Sequence, residues 1–403
     1  MKRSPGRSLA AAAIVAAGFL FLAGVLTVGF AKTNPGGKDF IEYWAAEQGL
    51  VHCAHPYDAS IILGIERAAG FSLQRPEFWY SPPPALALAL PLGYLGAKTG
   101  LIAWTLFQFA CLAASLWLLW KLRGRPDTLL PLFGFLFAPV VLCLEAGQIS
   151  LFILLAVVLF LYLHASHPIL AGVALLPCVL KPHFFLPFAV VLLLWIVHRK
   201  AYAVFAGFLA ALLAGSLAVF LLDAHAWSQY AQLMRNGDMM NEYIATLSVT
   251  LRFLVDRHAV WLQFAPATLA CVWAIWYFWT RREGWQWMDH GLLVLLVSAM
   301  CAPYGWFFDE SVLLPAVLTG VLRARATGRP LWPIALAATA ALIEVQQEVS
   351  VMSPAYLWTT PAWLAWYIYA SGRAPKKPAK QRTQPPEAQA AQIESTGRSP
   401  IHL

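Results

Sequence analysis

The sequence predicts an all-α, polytopic membrane protein, and three observations carry that prediction. Of 403 residues, 60% are hydrophobic and only 12% are Asp, Glu, Lys or Arg, whereas soluble domains carry about 25% charge. Apolar runs that approach or exceed the length of a bilayer crossing recur along the chain, separated by polar segments. The short Lys/Arg clusters fall on one side of that pattern and both long polar loops on the other, as the positive-inside rule requires. The net charge of +8 is spread over these clusters rather than gathered in one patch, which argues against a nucleic-acid partner. Eighteen Trp and 13 Tyr suit aromatic belts at the two interfaces.

The elements follow in order. Lys2, Arg3 and Arg7 precede an apolar stretch at 9–30. At about 22 residues it is long enough to span and longer than a signal-peptide core, so it reads as an uncleaved first helix with a cytoplasmic N-terminus. Residues 32–81 form a first long extracytoplasmic loop, patterned for short surface helices. Pro82, Pro83 and Pro84 cannot continue a helix, so a new element begins there, and 85–95 is too short to span. A span at 101–120 ends at Lys121, Arg123 and Arg125; 129–144 returns outward, and after a turn at Glu145–Gln148, 149–164 goes back. Residues 168–197 are interrupted by Pro177, Pro182 and Pro187, which suggests two short helices in a hairpin with Lys181 at its tip. Next come a span at 202–222, a second long extracytoplasmic loop at 223–258, and a span at 260–280 ending at Arg281 and Arg282. Segments at 291–302, from Asp309 to Arg323, at 331–344 and at 355–369 bring the expectation to about 12 transmembrane or re-entrant helices. One membrane domain at 1–371 would then precede a disordered, basic cytoplasmic tail at 372–403.

Candidate chemistry gathers on the outer side. Asp39, Glu42 and Tyr43 stand at i, i+3 and i+4 and share a helix face, so a carboxylate at the mouth of a membrane helix is offered as a general base. The same stretch also reads as a helix start, with Asp39 as N-cap and Glu42 completing a capping box. Gln148 opens a helix after Gly147 and can bind a sugar hydroxyl, or simply close a turn. Lys181 lies in an apolar segment, where an unpaired ammonium costs about 2.5–3.5 kcal/mol at mid-membrane. A lipid phosphate would satisfy it, with His183 as a companion, and so would snorkelling or an internal ion pair. In the second loop Asp238, Asn241, Glu242, Tyr243, Thr246, Ser248 and Arg252 form a polar run. It reads either as solvated loop or as a site in which Arg252 meets phosphate. Tyr304, Trp306 and Asp309 combine aromatics with a carboxylate, a pairing that suits sugars and also occurs in interfacial belts.

Some chemistries lack support. The chain has no Gly-rich nucleotide loop, Walker motif, DxD, HExxH or nucleophile elbow, so neither a nucleotide-sugar donor nor an obligatory metal is expected. The six cysteines, at 53, 111, 143, 178, 271 and 301, have neither CxxC nor zinc-ligand spacing and read as small core residues. No cofactor is expected.

Four of these stretches, in order, resemble glycosyltransferase family 87. They are DFIEYWAAEQGL with HPYD at 39–58, Gly147-Gln148 before an apolar helix, Lys181-Pro182 between two short helices, and the Pro303, Tyr304 and Asp309 region. Where relatives often carry His, this chain has Tyr304. The resemblance implies a GT-C fold in the bacterial inner membrane, with both termini cytoplasmic and an active site facing the periplasm. It implies a polyprenyl-phosphate sugar donor, with mannose the suggested sugar, and a lipid or glycan acceptor. Asp39 would be the catalytic base of an inverting displacement. Glu42, Tyr43, Gln148, Lys181, His183, Arg252, Tyr304 and Asp309 would bind substrate. Two rivals are a transporter or flippase, which should show repeat symmetry and charges deep in several helices, and a non-enzymatic assembly protein.

Overall fold

A computed structural model describes residues 34–126, 128, 130–236 and 243–372. Among these residues the structure is all helical, without a strand. The expected first helix at 9–30, the loop residues Asp238, Asn241 and Glu242, and the tail at 373–403 lie outside the described residues.

Among the described residues four helices are long and apolar enough to cross a membrane: Ala97–Leu122, Pro182–Arg199, Tyr202–Leu222 and Trp261–Gly284. Ser150–Leu163, Pro168–Leu180, Trp287–Met300 and Trp332–Gln346 are apolar but only 10–17 residues long. Several expected single helices are therefore composite. The segment expected at 129–144 divides into a 3-10 turn, Leu130–Leu136, and a helix, Ala138–Ala146, with Phe137 extended at φ −66° and ψ 118° ahead of Pro139. The segment from Asp309 starts as a 3-10 turn, Phe307–Leu313, and becomes α-helical only at Leu314–Thr327, where Pro315 sits at the helix start. Proline fits the first helical turn, whose N–H groups have no intrahelical partner, and disrupts a helix interior.

The first loop carries two short helices, Phe40–Val51 and Ala59–Ala68. Asp58 caps the second through its side chain, which accepts from the Ser60 and Ile61 amides at 2.9 and 3.0 Å. The Phe40–Val51 helix is no surface helix: Phe40, Ile41, Tyr43, Ala45 and Leu50 are buried, and it packs on the Leu90–Tyr94 turn and the start of Ala97–Leu122. That packing seats Asp39 at the edge of the helical body rather than out in a loop.

Tyr202–Leu222 lies along Pro168–Ala174 in a close helix pair. A side chain at Gly172 would collide with the Val204 carbonyl at 2.0 Å, and one at Gly207 with the Ile169 carbonyl at 2.1 Å. Small residues facing each other let backbones approach where lipid offers no hydrophobic drive for association. Much of the rest of Tyr202–Leu222 is apolar and exposed, with Leu213, Leu217, Phe220 and Leu221 all outward, as a lipid-facing helix requires. All six cysteines are free; Cys111, Cys143 and Cys301 are buried, while Cys53 is exposed and so is no core residue.

Candidate active site

Four segments converge at one end of the helical body. They are the start of Phe40–Val51, the turn between Ala138–Ala146 and Ser150–Leu163, the break at Lys181, and the Phe307–Leu313 turn.

Asp39 occupies the N-cap position of its helix but makes no capping hydrogen bond with its side chain. The capping-box reading therefore fails for a physical reason: a capping residue is normally extended, whereas Asp39 is already in the αR region at φ −61° and ψ −19°. Its Oδ2 accepts from Gln148 Nε2 at 2.8 Å. Gln148 is fixed from its other side by the Tyr43 hydroxyl, which donates to Oε1 at 2.7 Å. The Gln108 amide donates to the Gln148 carbonyl, and Trp104 Nε1 donates to the Gly147 carbonyl at 2.7 Å. Gly147 itself is left-handed, at φ +77°, and an added Cβ would stand 3.0 Å from Phe40 Cβ. Only a residue without a side chain lets the Gln148 turn approach the Asp39 helix this closely.

Asp39 remains open to solvent beside this network. Its pKa is raised from the ordinary 3.8 by the loss of hydration against the protein wall; the Gln148 hydrogen bond and the positive charge of Lys181 act in the opposite sense. Glu42, partly buried one turn on, is raised well above its ordinary value, first by burial and further by the negative charge of Asp39. The two neighbouring carboxyls are thus set apart: the Gln148 amide favours ionised Asp39, while Glu42 holds its proton more firmly.

Lys181 breaks the chain between two 3-10 turns, at φ −137° and ψ 64°, and its Nζ lies 2.6 Å from Asp309 Oδ1. Ser150 Oγ donates to the same oxygen. Asp309 Oδ2 accepts from the Trp306 amide at 2.9 Å and so closes its own turn. His183 meets Tyr304 edge to face at 5.3 Å, and its Nε2 is buried with no hydrogen-bond partner among the described residues. The Tyr304 hydroxyl accepts from Trp306 Nε1 at 3.0 Å.

Of the residues singled out in the sequence, Asp39, Glu42, Tyr43, Gln148, Lys181 and Asp309 thus form one cluster, flanked by His183 and Tyr304. Tyr43 is fully buried and reaches Gln148, so it positions that amide rather than facing a substrate. Arg252 stands apart. It is buried in Leu247–Val255, where Nη1 donates to Gln263 Oε1 at 2.5 Å, and Gln263 in turn holds the Pro303 carbonyl at 2.6 Å. It ties helices together, and its geometry offers no open fork to a phosphate. Sequence reasoning missed Ser150, Gln108 and Trp104. Ser150 opens an otherwise apolar helix and Gln108 lies midway along another, each a buried polar residue that signals a partner inside. Among the described residues no cluster of His, Cys, Asp and Glu has metal-holding geometry.

Residues 78–303 match glycosyltransferase family 87, more than half of the chain. The chain belongs to glycosyltransferase family 87. It is a membrane glycosyltransferase, and so takes a sugar donor and an acceptor. The matched span includes Gln148, Lys181, His183 and Arg252 and leaves Asp39, Glu42, Tyr43, Tyr304 and Asp309 outside it. No curated protein and no solved structure matches the chain.

Proposed function

We propose that this family 87 enzyme has a GT-C fold and moves a hexose from a polyprenyl-phosphate donor to a lipid or glycan acceptor. Transfer takes place at the periplasmic face of the inner membrane, and mannose is the sugar that the family resemblance suggests. Asp39 takes the proton of the acceptor hydroxyl as its oxygen attacks the anomeric carbon. The bond from that carbon to the phosphate oxygen breaks, and the electron pair leaves with polyprenyl phosphate. Single displacement inverts the anomeric centre. The leaving group is already anionic, so it needs a cation more than an acid. Lys181 is the candidate, since an ammonium has three donors and the Asp309 contact leaves others for phosphate.

The observation that carries this reading is the Gln148–Asp39 hydrogen bond at 2.8 Å on a carboxylate open to solvent. A neutral amide orients the carboxylate without taking its charge, which suits a base. Radiolabelled transfer from polyprenyl-phosphate mannose to membrane lipids, by wild type and Asp39→Asn at matched expression, tests it. Transfer by the wild type alone is the expected result. Equal transfer by both removes Asp39 from the mechanism.

A further inference from the structure

A second polar feature lies beside the Phe307–Leu313 turn, with Phe184, three residues on from Lys181, in its wall. It is a cavity of about 120 Å³, lined by Thr246, Thr250, Gly305, Trp306, Glu310 and Thr360, with apolar walls from other residues. One water needs roughly 10–15 Å³ by the same kind of measure, so the space is of ligand size. Its lining includes no Lys, Arg or His. A phosphate would find no counter-charge there.

Its polar groups suit neutral hydroxyls. Glu310 accepts from Thr359 Oγ1 at 2.6 Å, Thr360 Oγ1 at 2.8 Å and Trp363 Nε1 at 2.7 Å. A carboxylate has about four acceptor sites, so one remains for an O–H donor in the cavity. Thr250 Oγ1 shares one hydrogen with the Tyr243 hydroxyl at 3.1 Å and keeps acceptor capacity. Trp306 lines the cavity as well, and an aromatic ring suits a sugar CH face. Trp306 also joins the cavity to the cluster around Lys181, because its backbone amide holds Asp309, the residue before Glu310.

We propose that this cavity is a subsite for an uncharged sugar unit of the acceptor, separate from the cluster that meets the donor phosphate. The assignment rests on the glycosyl-transfer reading for the word acceptor, and on the cavity chemistry alone for the word sugar.

The test uses the full-length protein in detergent micelles, with methyl α-mannoside and methyl α-glucoside as probes in saturation-transfer NMR and inorganic phosphate as competitor. Wild type and Asp39→Asn should saturate a methyl glycoside equally, with no displacement by phosphate. Ala245→Trp, which fills the cavity, should abolish the signal. Thr250→Val removes one hydroxyl and should weaken binding about two- to tenfold, which keeps the test open if the Trp variant misfolds. In the transfer assay, Thr250→Val should raise the KM for acceptor and leave that for donor unchanged. No saturation in the wild type, undiminished saturation in both cavity variants, displacement by phosphate, or a shift in donor KM would each overturn the proposal. Cavity-dependent glycoside binding in a protein that transfers nothing would uphold the subsite and count against the proposed donor chemistry instead.

Discussion

Two aspartates in this molecule are held in opposite ways. Asp39 leans on a neutral amide, that of Gln148, and stays open. Asp289, in the turn before Leu292–Met300, pairs with the Arg323 guanidinium. Arg323 also donates to the Tyr367 hydroxyl at 3.1 Å and the Ser371 hydroxyl at 2.7 Å, and Tyr367 closes back on the Asp289 carbonyl at 2.8 Å. The second arrangement stitches helices together with a full charge. A guanidinium beside Asp39 would hold it ionised and make it a poor base, whereas an amide fixes its direction and leaves its basicity. On the proposed mechanism, the identity of the partner separates a carboxylate that works from one that fastens.

The largest test of this contrast substitutes both aspartates. Asp39→Asn should lower the transfer rate about 10²- to 10⁴-fold with the melting temperature unchanged, while Asp289→Asn should keep transfer and lose stability. Comparable loss of transfer in the two variants would break the comparison. Next in size is the Lys181–Asp309 pair. Lys181→Met alone leaves a buried carboxylate uncompensated and should cost about 3–5 kcal/mol of stability. Adding Asp309→Asn should restore most of that stability, read as the thermal midpoint, without restoring transfer. Recovery of both would make the pair purely structural.

A smaller effect sharpens the role of the amide. The acid limb of the pH–rate profile should lie above the ordinary aspartate value of 3.8, because the protein wall strips part of the hydration from Asp39. Gln148→Leu removes a hydrogen bond that favours the ionised form, so the limb should move to higher pH, with the plateau rate down roughly tenfold. The effect that bears least on transfer concerns Glu66, a buried carboxyl whose pKa burial raises from 4.5 to about 8. Its protonated form is favoured in the fold, so it adds stability that is complete below about pH 4.5 and is lost as pH rises through about 8. In Glu66→Gln, whose side-chain carbonyl can still accept from the Glu77 amide, thermal midpoints should fall less over that window.

Much of the fold was legible because its signals are local. The proline run at 82–84 does start a helix, at Pro83, and the apolar run at 202–222 is a single helix. Composite segments were harder to read. Pro139 and Pro315 sit inside apolar stretches whose hydropathy alone suggests one continuous span. The candidate site was legible as residue types, since a carboxylate, an amide and a lysine stand out in apolar surroundings. Their pairing was not. Asp39 and Gln148 are 109 residues apart in the chain, and Lys181 and Asp309 are 128 apart. The capping motif misled for a local reason: Asp39 has the spacing of a cap, but its backbone is already helical and its side chain caps nothing. Arg252 looked available for phosphate because its partner, Gln263, lies on the next helix.

The glycine beside Gln148 has a consequence for anyone who redesigns this enzyme. Position 147 is closed to substitution twice over, by a backbone angle of φ +77° and by a neighbour 3.0 Å from where a methyl would sit. A randomised library that includes it will return glycine whatever sugar is selected for. If the proposed subsite binds acceptor, diversity placed at Thr250 or Ala245, where the backbone makes no such demand, retunes recognition while the spacing between Asp39 and its amide stays fixed.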